Sequence, residues 1–152
     1  MLIAIIASCL LVVGTTLLHY EALRFLNTRL CSLHIPDRTK ILVVILVAFL
    51  AHAVEIALYG ITIYILVISL NSGNLIGATI FSLETCMYFS AETYTSLGFG
   101  DLTPTGSVRL LAGVEALNGL LLIGWSASFT YISMERFWVA GPRDQDRNGK
   151  SG

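Results

Sequence analysis

Charge is what this sequence has least of. Of 152 residues 12% are charged and 55% are hydrophobic, against about 25% charged in an average soluble domain. With a mean hydropathy of +0.78 the chain cannot cover a water-facing surface with polar groups, which excludes a soluble enzyme or binding module. Cysteine is also scarce. Cys9, Cys31 and Cys86 are odd in number and scattered, which fits neither a disulfide framework nor a zinc site and leaves them as small buried residues. The 9 basic and 10 acidic groups give a net charge of −1, so no nucleic-acid partner is expected.

What remains is apolar and long. Residues 1–20 carry no formal charge, and about 20 apolar residues in a helix cross a hydrocarbon core. This is a first span; a cleaved signal peptide is the rival, and it lacks the basic n-region such a leader has. From Ile41 to Leu83 the single formal charge is Glu55, with loop chemistry at Asn71, Ser72, Gly73 and Asn74, so residues 41–70 form a second span. Residues 108–134 form a third, with Glu115 inside it.

Lys and Arg are retained on the cytoplasmic side. Arg24, Arg29, Arg38 and Lys40 lie in the linker 21–40, and Arg136, Arg143, Arg147 and Lys150 lie in the tail 135–152. Residues 71–108 hold no basic residue. Three alternating crossings put both basic segments on one face, so the N-terminus is expected outside and the C-terminus in the cytoplasm. Leu23, Leu26, Leu30 and Leu33 fall at helical spacing: either an amphipathic helix in the membrane interface, or a continuation of the first helix.

Residues 71–107 are too apolar for an ordinary loop. Ser82 to about Thr93 reads as a helix with Ser82 as N-cap, and twelve helical residues rise only about 18 Å, too short to cross. The segment therefore enters and returns. Non-helical backbone at membrane depth is tolerated where it is buried in protein or lines a watery cavity, and Gly98 and Gly100, flanking Phe99, suit a strand whose successive carbonyls face one way. A ring of such carbonyls replaces the hydration shell of a cation.

Thr93, Tyr94, Thr95, Ser96, Leu97, Gly98, Phe99, Gly100, Asp101, Leu102, Thr103 and Pro104 together resemble the pore-loop signature of the potassium channels, in particular the small bacterial members with two pore-forming helices. The resemblance covers about residues 41–135 and leaves the first span and linker outside. It implies an all-α membrane protein: three transmembrane helices, a re-entrant pore helix and a selectivity filter at 95–100, assembled as a tetrameric pore. It also implies K+ held at filter carbonyls from Thr95 to Gly100, no cofactor beyond that permeant ion, lipid as surroundings, and a bacterial inner membrane as location. Tyr88 and Phe89 occupy the places of the family's filter-bracing aromatic pair, and Gly119 that of its bend for opening. Ser96, Leu97 and Phe99 stand where the commonest signature has Thr, Val and Tyr, which touches filter rigidity more than ion choice.

Other residues are read from their placement. Glu92 and Asp101 come side by side when the loop folds back, and two carboxylates in one site resist double ionisation, so they are expected to brace the filter and share a proton; two solvated mouth acids are the bland alternative. With Glu84 and no nearby cation they make the outer segment electronegative. Gly119 is either a hinge or a close-packing contact. Asn118 is expected at the cavity; Glu115 either faces it or packs behind the pore helix. His52 and Glu55, three apart in the second span, share a face and form either a pH sensor or polar glue to the first span through Ser8, Thr15 or Thr16. The expectation is a homotetrameric potassium channel, not an enzyme. A non-selective cation channel and a non-conducting subunit of a larger complex are the alternatives. No span carries arginine every third residue, so the stimulus for opening is not voltage of the usual kind.

Overall fold

A computed structural model describes residues 1–30 and 35–138. Four helices carry the fold: α1 (Leu2–Leu30), α2 (Asp37–Ile68), α3 (Leu83–Tyr94) and α4 (Val108–Trp138). At 29, 32 and 31 residues, α1, α2 and α4 rise about 45 Å each, more than the hydrocarbon core of about 30 Å. All three are apolar enough to cross a membrane. With 12 residues α3 cannot. The protein is an all-α membrane protein with three spans and one short helix held between α2 and α4.

Each of the three spans runs past an expected bound, α1 by the most. Continuing unbroken to Leu30, α1 takes in half of the expected linker, because one stripe of buried positions runs its whole length: Ala4, Ser8, Thr15, His19, Leu23, Leu26 and Leu30. Leu23, Leu26 and Leu30 pack with Val44 of α2, with Phe129 and Phe137 of α4 against them. The leucines at helical spacing thus belong to the helix bundle rather than to an interfacial helix. Leu33 and the tail residues Arg143, Arg147 and Lys150 lie outside the described residues.

A second cluster fixes α3. Tyr59, Ile63 and Leu66 of α2, Cys86, Phe89 and Tyr94 of α3, and Val108, Leu111 and Ala112 of α4 pack together. Here α3 begins at its Ser82 N-cap, whose Oγ accepts the Thr85 N–H at 3.2 Å. The chain on either side of α3 and its following strand is tied at the base. β1 (Leu75–Ile76) pairs antiparallel with β2 (Thr103–Pro104), and the Thr105 N–H donates to the Asn74 carbonyl at 2.8 Å. The intervening segment is held at both ends, so its conformation is set by α3 and by what lies behind it.

Candidate functional site

The C-terminus of α3 sets the next six residues. The Glu92 carbonyl accepts both the Leu97 N–H (2.9 Å) and the Gly98 N–H (3.3 Å), which stops the helix and turns the chain away from its axis. Every second residue then takes a left-handed conformation: Ser96 at φ 57°, Gly98 at 54° and Gly100 at 82°. Such alternation points successive carbonyls the same way, and the partial negative charge at the end of α3 lies beside them. A side chain pays for this conformation only at Ser96; glycine adopts it freely. The 95–100 strand lies on the surface of the single chain, with Leu97 61% and Phe99 66% exposed.

Behind the strand, three side chains hold it. The buried Glu92 accepts the Phe99 N–H on Oε2 at 3.3 Å. Burial, with the negative charge of Asp101 nearby, pushes the Glu92 carboxyl above the usual carboxylate range, against the opposing pull of the Phe99 N–H. Tyr88 lies parallel to the Phe99 ring at 6.4 Å between centroids, and its hydroxyl donates to Asp101 Oδ2 at 3.1 Å. The hydroxyl missing from Phe99 thus has a counterpart on α3. Phe89 points the other way, into the core with Tyr59 and Leu111, so Tyr88 alone of the aromatic pair touches the strand.

The end of α3 is also where the three spans converge. Gly119 of α4 is buried against the Tyr94 carbonyl and ring, where a Cβ would not fit. The Tyr94 hydroxyl donates to Glu55 Oε2. His52 Nδ1 lies 3.1 Å from that oxygen and 2.9 Å from the Tyr94 hydroxyl, while His19 Nδ1 of α1 lies 2.9 Å from Glu55 Oε1. Ser126 Oγ of α4 joins the two imidazoles, at 3.0 Å from each Nε2. His52 and Glu55 do share a face, as their spacing predicts. Three partners missing from that reading complete the set: His19, Tyr94 and Ser126.

Asn118 and Glu115 are turned into the chain's own packing, not onto the exposed face of α4. Asn118 Nδ2 donates to Thr15 Oγ1 at 2.8 Å and to the Tyr59 hydroxyl at 3.1 Å, so the expected cavity position gives way to a tie among α4, α1 and α2. Glu115 packs behind α3. Its Oε1 accepts from Ser90 Oγ, which also lies 2.8 Å from the Ile56 carbonyl, and its Oε2 has no partner among the described residues. Of the residues proposed as glue, Thr15 is in use, whereas Ser8 bonds its own helix at the Ala4 carbonyl.

A short helix ending on an alternating strand, clamped between two long apolar helices, is the arrangement of an ion pore. A protein-family model described as an ion channel matches residues 40–136, from the start of α2 to the end of α4. Neither a curated protein nor a solved structure matches the chain. The matched segment is well over half of the chain, and α1 lies outside it: the protein belongs to the ion-channel family of two-helix potassium-channel pores, with one further N-terminal helix.

Proposed function

We propose that the chain forms a homotetrameric, potassium-selective channel whose filter is Thr95 to Gly100. The observation that carries this is the alternation of left-handed backbone at Ser96, Gly98 and Gly100 directly after the C-cap of α3. A strand of that form offers a row of carbonyls with fixed spacing, and a closed ring of such strands replaces the water shell of a dehydrated cation. One chain supplies one strand, so several copies are needed; four-fold closure follows the potassium-channel resemblance. The exposed Leu97 and Phe99 side chains are then covered by neighbouring copies.

Charge placement sets direction. Glu84, Glu92 and Asp101 lie in a segment that holds no Lys or Arg, which concentrates cations at the filter mouth. The basic residues flanking the other ends of the spans support a C-terminus in the cytoplasm and an N-terminus outside, in a bacterial inner membrane. Conduction is passive, down the electrochemical gradient, and needs no cofactor beyond the permeant ion. Purified protein in liposomes tests the reading: K+ flux blocked by Ba2+ and a strong preference for K+ over Na+ are expected. Equal K+ and Na+ flux would remove the selectivity, and a verified tetramer with no flux across pH and membrane tension would remove the channel.

A further inference from the structure

Five side chains from all four helices close into one ring of hydrogen bonds. Glu55 Oε1 meets His19 Nδ1 at 2.9 Å. His19 Nε2 meets Ser126 Oγ at 3.0 Å, and Ser126 Oγ meets His52 Nε2 at 3.0 Å. His52 Nδ1 meets the Tyr94 hydroxyl at 2.9 Å, and that hydroxyl returns to Glu55 Oε2. Each of these five edges needs one proton, because two facing lone pairs repel. The groups in their ordinary neutral-pH forms supply four: one each from Tyr94, Ser126, His19 and His52, with Glu55 ionised. Four protons leave one edge bare wherever they are placed. If both imidazoles hold their protons on Nδ1, toward Glu55 and Tyr94, the one Ser126 proton fills only one of the two Nε2 edges; if either turns its proton to Nε2, the bare edge moves to the Nδ1 side of that ring, at Glu55 or Tyr94.

Net charge points the same way. With four protons the ring carries −1 inside a set where His19, Glu55 and Tyr94 are fully buried, and an uncompensated buried charge is costly. With five it is neutral, whether drawn as a carboxylate with one imidazolium or as a neutral acid with two neutral imidazoles. We infer that the ring is a binding site for one excess proton, shared among Glu55, His19 and His52 through Ser126 and Tyr94, and that its occupancy sets how firmly the end of α3 is held.

A divalent metal fits less well. Histidine nitrogen and carboxylate oxygen stand 2.9 and 3.1 Å apart in the two closest pairs, whereas ligands about 2.0–2.1 Å from a tetrahedral ion stand about 3.3 Å apart from each other. One carboxylate would also leave the buried site with a charge of +1. Beyond the ring, the titratable groups that bear on it are Tyr59 of α2 and Glu115 of α4, both acting on Tyr94. On α1, Tyr20 lies tilted against Trp125, which in turn lies against His19. Of the two imidazoles His52 alone keeps some exposure, 17% against none for His19.

Tyr94 is the last residue of α3, next to the first residue of the proposed filter. Emptying the ring at high pH puts a buried charge and a repelling lone-pair contact directly behind that strand. The regulatory half of this inference rests on the channel reading; the proton site itself does not. For a single proton, conductance falls with rising pH by at most about tenfold per unit.

The test combines histidine 15N and glutamate carboxyl 13C NMR of labelled protein in lipid nanodiscs with bilayer recordings across neutral to alkaline pH. The expected result is one proton shared between the two imidazoles and the carboxylate at neutral pH and lost in a single step, with conductance falling over the same range. Glu55→Gln supplies the fifth proton permanently through its amide, so its conductance is expected to be flat with pH at the loaded level. Ser126→Ala keeps every titratable group but removes the relay, and is expected to uncouple the two imidazoles and move the step to lower pH, which also covers failure of the glutamine variant to fold. A spectrum showing two ordinary neutral imidazoles beside an ionised carboxylate at neutral pH would overturn the site, as would pH profiles for wild type and Glu55→Gln that coincide. A normal titration in a protein that passes no ion would uphold the proton site and remove only the channel reading.

Discussion

The α-carbon of Gly119 lies against the carbonyl and ring of Tyr94, with no room for a Cβ between them. The end of α3 therefore sits as close to α4 as two backbones allow, and the inner face of α4 sets the position of the residue that precedes the 95–100 strand.

This contact separates packing from bending at Gly119. A methyl group there forces apart two helices, an overpacking cost of about 1–3 kcal/mol that exceeds the roughly 1 kcal/mol gained from helix propensity. Gly119→Ala is expected to lower thermal stability and weaken assembly, measured by unfolding in detergent and by size on native gels. Gly113→Ala and Gly124→Ala, where a Cβ meets nothing within 4 Å, are expected to leave both unchanged or slightly improved. If Gly119 served as a hinge alone, Gly119→Ala would assemble normally and only open less often.

Glu92 gives the second prediction, and its sign follows from the upward shift of its carboxyl by burial and Asp101. A carboxyl whose folded-state value lies above its unfolded one favours the folded state when protonated. That contribution is full below the unfolded carboxylate range and is lost as pH rises through the folded value. Stability is therefore expected to fall between acid and neutral pH. Glu92→Gln, whose amide oxygen still accepts the Phe99 N–H, removes that part of the decline. Melting temperatures of wild type and variant across this range measure it, and parallel curves would refute it.

At the outer end of the strand, Tyr88→Phe keeps the ring parallel to Phe99 and deletes the hydroxyl that reaches Asp101. Folding is expected to be untouched, because Tyr88 is exposed and outside the buried core. Current during sustained opening is expected to decay faster, since Asp101 loses its tie to α3. Tyr88→Ala removes both contacts and is expected to decay faster still. Bilayer recordings of the three proteins provide the ranking.

The spans and the short helix were legible because each rests on a local pattern: uncharged runs, a Ser82 cap, glycines flanking Phe99. The facing of the polar residues on α4 was not. Helical spacing says that Glu115 and Asn118 point in similar directions, yet their neighbours differ: Glu115 meets Ser90 of α3, whereas Asn118 meets Tyr59 of α2 and Thr15 of α1, and α1 lies outside the potassium-channel resemblance. His19 was missed for the same reason. The signal was nonetheless present, in that Ser8, Thr15 and His19 fall on the one stripe of α1 that leucines continue at Leu23, Leu26 and Leu30; polar residues on a buried stripe need partners, and those that Thr15 and His19 find across the bundle lie on α2 and α4. Phe89 shows the opposite failure: the family resemblance gave Tyr88 and Phe89 a shared bracing role, and the local packing leaves that role to Tyr88 alone.

The last prediction concerns α1 itself. The family model covers residues 40–136, and on that coverage alone a chain lacking α1 would assemble unaided. The side chains say otherwise. Removing residues 1–36 takes Thr15 from Asn118, His19 from Glu55 and Ser126, and the leucine stripe from Val44, Phe129 and Phe137. Each buried polar group left without a partner costs about 1–3 kcal/mol, and an unpaired Glu55 costs more. A chain of residues 37–152 is expected to insert but not to form stable oligomers, as read by cross-linking in membranes. Co-expression of residues 1–36 as a separate chain is expected to restore assembly, and restoration is expected to fail when that chain carries Thr15→Val with His19→Leu. Stable oligomers from 37–152 alone would show that α1 is an addition to the pore rather than part of its frame.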